Sequence, residues 1–216
     1  MPRRRMVLGG AAAGLIAYSA PAPAADHGGL TLWFDPTQLP SYSGRLDRWV
    51  ANPAGEIDRG IFREGTQFLF PSAEAEALMA ATERGGPLAV WGIRARTAPV
   101  VMMLAWARTD SDAANFVERP AWFANMASGR DELTLTGRIL APMLNPQGEP
   151  MGVILAEGGA IRLTTAMHKQ LASRLGNGET ISAQGPGTQR GEFAAIDARR
   201  IGRDPSSLEG LPEPRP

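Results

Sequence analysis

Apolar and polar residues alternate in short runs along this chain, and the runs come in two matching sets. Residues 57–63 place Ile57, Arg59, Ile61 and Arg63 on one strand face and Asp58, Gly60 and Phe62 on the other. Glu64-Gly65 follows as a two-residue hairpin loop. Residues 66–70 then put Thr66, Phe68 and Phe70 on one side, so both phenylalanines face inward or both face outward. Pro71-Ser72 ends that strand, with Ser72 as a helix N-cap. Residues 73–84 carry Ala75, Leu78, Met79 and Thr82 at helical spacing, and Gly85-Gly86 stops the helix. An extended run, 42–50, precedes this set and is closed by the turn Asn52-Pro53-Ala54-Gly55. Two apolar strands, 88–93 and 100–106, complete it, joined by a loop holding Arg94, Arg96 and Pro99. The predicted order is three strands, one helix and two strands.

A shift of 93 positions repeats the set without a gap, laying 44–110 on 137–203. Gly44, Arg45, Asn52, Pro53, Gly55, Glu56, Ile61, Glu64, Gly65, Leu78, Gly85, Gly92 and Ala105 meet Gly137, Arg138, Asn145, Pro146, Gly148, Glu149, Ile154, Glu157, Gly158, Leu171, Gly178, Gly185 and Ala198. Most of these are turn residues. Shared turns with divergent strands are what duplication of one small fold leaves behind. In the second set the strands fall at 134–144, 151–156, 160–163, 180–184 and 193–199, with a helix from a Thr165 cap to about Leu175. Gly92 and Gly185 take equivalent places in strand four, where a barrel needs a close approach or a bend.

A helix between strands three and four of a five-stranded unit is the order of an OB-fold. The predicted class is therefore all-β with one short helix per repeat, in two tandem OB-fold-like five-stranded β-barrels packed together. Asn52-Pro53-Ala54-Gly55-Glu56, Glu64-Gly65-Thr66 and Phe68-Leu69-Phe70-Pro71 resemble motifs of bacterial exported proteins with tandem OB-like domains. The resemblance covers both repeats. It implies a nucleic-acid-binding type of fold and little about chemistry. Relatives often continue Phe-Pro-Pro-His into the helix. This chain has Phe70-Pro71-Ser72-Ala73 and Leu163-Thr164-Thr165-Ala166, so the histidine is absent from both repeats.

The organisation read from these patterns has five parts: a leader at 1–25, barrel one at 38–110, a linker at 111–130, barrel two at 131–203 and a disordered tail at 204–216 with four prolines. The leader has a basic start, Arg3-Arg4-Arg5, an apolar stretch too short to span a bilayer, and small residues at Ala22-Pro23-Ala24. Arg3-Arg4-Arg5-Met6-Val7 fits a twin-arginine signal, an ordinary secretory signal being the alternative. Both place the protein outside the cytoplasm, periplasmic or extracellular. The linker holds Phe116, Trp122 and Phe123, which are expected to pack on a barrel or seal the junction.

Charge then narrows the function. Removing the leader leaves 19 basic residues against 22 acidic, near −3, which does not favour nucleic acid or an anionic membrane. The absence of cysteine excludes disulfides, thiol chemistry and Cys-based metal sites. His168 stands alone on the second helix and is expected to be half-buried with a hydrogen-bond partner; His27 lies near the start of the mature chain. Neither has a second ligand at metal spacing, and no Gly-x-Ser-x-Gly occurs. No catalytic set, metal site or cofactor is therefore predicted. Glu56 and Glu149 are read as turn residues that accept a backbone hydrogen bond or pair with arginine.

One candidate binding face remains. OB-folds bind along strands two and three and the adjoining loops. Trp49, Arg59, Arg63, Phe68, Phe70, Trp91, Arg94 and Arg96 come from those elements or their neighbours. The competing reading puts Phe68, Phe70 and Trp91 inside the barrel and the arginines in water. The functional expectation is a non-catalytic exported binding protein, holding single-stranded nucleic acid or another anionic polymer. The alternative is a cell-envelope scaffold or adaptor that binds another protein.

Overall fold

The computed structural model describes residues 34–211. The expected leader at 1–25, its twin-arginine motif and His27 lie outside them. Barrel one contains β1 (Ser41–Ala51), β2 (Ile57–Phe62), β3 (Gln67–Leu69), α1 (Ala75–Ala81), β4 (Pro87–Arg94) and β5 (Val100–Ala107). A two-strand-residue addition, β6 (Asn115–Phe116), pairs with the outer edge of β5. The ring closes because β3 pairs in parallel with β5, Phe68 opposite Val101. Barrel two contains β7 (Asp131–Leu144), β8 (Pro150–Leu155), β9 (Ala160–Arg162), α2 (Thr165–Gln170), β10 (Thr180–Arg190) and β11 (Phe193–Asp197). Here β9 pairs in parallel with β11, Ile161 opposite Ile196, and β10 completes the ring. Both are five-stranded barrels, each with one short helix.

The 93-residue offset holds in the cores as well as the turns. Leu46, Phe62, Phe68, Phe70, Leu78, Leu88 and Met103 fill barrel one. Ile139, Leu155, Ile161, Leu163, Leu171, Ile181 and Ile196, their counterparts, fill barrel two. Core one is aromatic where core two is aliphatic. Trp49 meets Phe68 and Phe70 edge-on, both at 5.8 Å between centroids, a favoured arrangement for opposed ring quadrupoles. The large rings fit because Gly60 leaves room: a Cβ there would lie 2.1 Å from Phe68 Cζ.

Several sequence expectations need correction. Ser72 does not cap α1; a 3₁₀ turn, Ser72–Glu74, leads into it, and no side chain caps either start. Glu74 instead accepts from Trp106 Nε1 at 3.2 Å. In repeat two Thr164, not Thr165, is the cap, accepting from the Met167 N–H at 3.2 Å. Met79 is exposed, because the helix seats only Leu78 deeply in the barrel. The fifth strand of repeat two breaks after Asp197 and resumes as β12 (Arg200–Gly202). Residues 204–211 of the expected disordered tail are ordered. Asp204 and Ser207 form a capping box that turns the chain back. β13 (Glu209–Gly210) then pairs with β12, and Leu211 packs on core two. A short polar stretch without apolar periodicity can still be ordered when one such turn delivers it to an open strand edge.

The barrels pack through the outer faces of their first two strands. Val50, Ile61, Met143, Met151, Ile154, Ala160 and Ala195 form one shared apolar cluster. Val50 and Met143 are repeat equivalents, and so are Ile61 and Ile154. The turns obey the same relation. A Cβ on Gly55 would meet Thr188 at 2.6 Å, and one on Gly148 would meet Ala95 at 3.0 Å. Ala95 and Thr188 are themselves 93 residues apart. Each Asn-Pro-x-Gly-Glu turn thus docks at the far part of strand four of the opposite barrel, just past the end of β4 in one case and within β10 in the other, an approximately two-fold arrangement. That contact explains why the motif is kept in both repeats: it shapes the junction.

Candidate functional site

The eight expected binding residues do not form one face. Phe68 and Phe70 are fully buried in core one. Trp91 is 7% exposed and packs in a separate cluster with Ala89, Ala105 and Ala107, against which Phe116 of the linker also lies. Trp49 is half-buried against core one. Stacking bases on Phe68 or Phe70 would require opening the barrel, and Trp91 is covered outside it, so that part of the expected surface is corrected; Trp49 keeps partial exposure. Alternation on β3 shows that Phe68 and Phe70 share a side, and the Gly60 gap places that side inside. Arg63, Arg94 and Arg96 are exposed. Arg59 is 4% exposed and faces the second barrel.

Arg59 anchors the site that the structure does contain. Its Nη1 donates to Gln67 Oε1 at 2.5 Å. Gln67 is itself buried; its Nε2 donates to the Pro142 carbonyl at 2.7 Å and its Oε1 accepts from the Leu144 N–H at 3.1 Å. This chain of bonds crosses the junction. Arg59 Nε is buried without a hydrogen-bond partner, and no carboxylate among the described residues lies in ion-pair range of it. Burial lowers the Arg59 pKa to about 10, with the Asp58 charge acting in the opposite direction. Asp58, next in sequence, accepts from Asn52 Nδ2 at 2.9 Å. Burial raises its pKa, against the pull of Arg59 and that hydrogen bond.

These groups line a cleft of about 270 Å³ between the barrels, roofed by residues 119–125 of the linker. Arg162 closes its far side and pins the roof. The guanidinium holds Asp197 through two bonds, Nε at 2.5 Å and Nη2 at 2.7 Å. It also donates to the carbonyls of Asn125, Met126 and Ala127 at 2.5, 3.1 and 2.9 Å. Asn125 Nδ2 adds a bond to Glu56 Oε2 at 2.7 Å. Glu56 therefore pairs with asparagines rather than arginine, and Glu149 with Lys169 at 3.7 Å. Trp122 and Phe123 do not seal the junction as expected. They are 45% and 82% exposed, and Met126 is 61% exposed, although the backbone carrying them is tied down.

Asn52 reads from sequence as a turn residue, and Asp58 and Gln67 carry no sequence signal for a site. For Arg162 a signal exists: the offset lays it on Leu69, so arginine stands in a slot that is apolar in the other repeat. Among the described residues no three of His, Asp or Glu gather as a metal site. No described helix is long and apolar enough to cross a membrane.

His168 is 9% exposed, and its Nε2 lacks the expected partner. Burial pushes its pKa down. Below about pH 6.5 the unfolded chain therefore takes up this proton before the folded one does. The stability tied to neutral His168 is full above that pH and declines as pH falls toward the lower folded value. Urea titrations at about pH 7.5 and 5.5 should show this decline, and His168→Gln should reduce it. An unchanged difference in the variant would show that other groups cause it. No protein-family model, curated protein or solved structure matches this chain.

Proposed function

We propose that this chain is a non-catalytic binding protein of the exported, tandem OB-like kind, and that it engages another protein at the junction of its barrels. The exposure of Phe123 and its neighbours on an anchored segment carries this reading. An aromatic ring left in water forgoes about 1.5–3 kcal/mol of burial. Three exposed large apolar side chains within one five-residue stretch, of which Phe123 lines the cleft, are the kind of feature that marks an interaction surface. Arg162 holds the backbone at 125–127, at Met126 and just after Phe123, before any partner arrives, which lowers the ordering cost of binding.

The nucleic-acid reading is left with Arg63, Arg94 and Arg96, without the stacking rings of β3 and β4. Its electrostatic support is weak at a mature charge near −3. The test is a photo-reactive phenylalanine at position 123 of the exported protein, with Arg203, exposed on barrel two, as the control position. A discrete protein adduct from position 123 and none from 203 is expected. Equal labelling from both, or none from 123, would reject the junction as a protein-binding site.

A further inference from the structure

The charge balance of the cleft specifies what part of a partner enters it. Five ionisable side chains line it: Glu56, Asp58, Arg59, Arg119 and Arg162. Arg162 is neutralised by Asp197. Glu56 and Asp58 accept from Asn125 and Asn52, neutral amides that leave both carboxylates charged, and Asp58 attracts Arg59 without reaching it as an ion pair. Arg59 has one neutral acceptor, Gln67, and an Nε with none. A buried cation with its donors incompletely used is costly to maintain unless an anion completes it. Arg119 adds a second positive group at the rim. The walls between these charges are apolar, supplied by Leu69, Met143, Met151 and Phe123.

We propose that this cleft binds the C-terminal carboxylate of a partner protein, with the last side chain of that partner seated on the apolar walls. The proposal rests on the junction being the protein-binding site. The cleft has room for a chain end. About 270 Å³ corresponds to roughly nine waters at ~30 Å³ each, room for one large residue and its carboxylate. A guanidinium is suited to that group because its N–H donors form charge-assisted hydrogen bonds with carboxylate oxygens, and Nη2 is the Arg59 nitrogen neither committed to Gln67 nor buried like Nε. Glu56 and Asp58 stand against a doubly acidic end, so the penultimate residue should not be Asp or Glu.

Isothermal titration of the mature protein with N-acetyl-Leu-Phe and with its C-terminal amide tests this directly. A hydrogen bond to a charged group contributes about 1.5–3 kcal/mol. The acid should therefore bind at least about tenfold more tightly than the amide. Phe123→Ala, at an exposed position that folding does not need, should weaken the acid several-fold. Arg59→Gln should erase the difference between acid and amide, provided its circular dichroism is that of the parent. Equal affinity for acid and amide, no binding at millimolar peptide, or an unchanged affinity in Phe123→Ala would each overturn the proposal. If the peptides fail while position 123 still gives its adduct, the protein-docking reading stands and the carboxylate reading falls.

Discussion

Gly92→Val is expected to destabilise the protein by about 3 kcal/mol, the upper end of what overpacking costs. The reason is geometric. A Cβ on Gly92 would lie 1.9 Å from the Met102 carbonyl oxygen, a backbone atom that no rotamer change can move aside. The strands shift register at this point. Trp91 faces Ala105 while Gly92 faces Met103, leaving Leu104 as the extra residue of a bulge. The bulge bends β5, and the bend brings its carbonyl over Gly92. Gly185, the repeat equivalent, would meet the Asp197 carbonyl at 1.8 Å, so Gly185→Val should cost a similar amount. Gly210→Ala is the control, since its Cβ would meet nothing within 4 Å. Urea titrations of the three variants decide the matter. A Gly92→Val midpoint equal to that of the parent would show that the barrel does not close tightly here.

Gln67→Ala should cost about 3 kcal/mol as well, by a different route, since it leaves a buried cation without its hydrogen-bond acceptor, a loss larger than for a neutral group. The substitution removes the one hydrogen-bond acceptor of Arg59 and the side-chain partners of the Pro142 carbonyl and Leu144 N–H. Replacing both members, Arg59→Met with Gln67→Leu, should cost less than Gln67→Ala alone, because no buried cation is then left without an acceptor. Calorimetry of the two variants against the parent measures this. If Gln67→Ala matches the parent, the bonds across the junction contribute nothing to its cohesion.

The barrels were legible in the sequence because turn chemistry is local. Gly55, Gly65, Gly85, Gly148, Gly158 and Gly178 all adopt positive φ, a requirement that a single residue type announces. Strand alternation was legible for the same reason, down to the shared side of Phe68 and Phe70. Which side faced inward was not, since that depends on the space Gly60 leaves across the sheet. Arg59 illustrates the deeper limit. In the run Ile57–Phe62 it reads as a solvated arginine on an outer strand face, and it is on an outer face. Only the arrival of the second barrel buries it. The tail failed in the opposite sense, because its order comes from pairing with β12 rather than from its own residues.

The two-fold packing of the barrels has a consequence for how a site can arise at their seam. Two separate identical subunits would carry every seam residue twice, so a change that opened one end would open the other. Joined in a single polypeptide, the halves are free to differ. Leu69, Val100 and Leu144 pack together as an apolar part of the seam. The repeat counterparts of Leu69 and Leu144 are Arg162 and Ala51, a long cation and a small side chain, and both line the cleft. Covalent linkage has therefore let one copy of each pair act as the weld that keeps the halves together, while its counterpart is relieved of that duty and borders an opening.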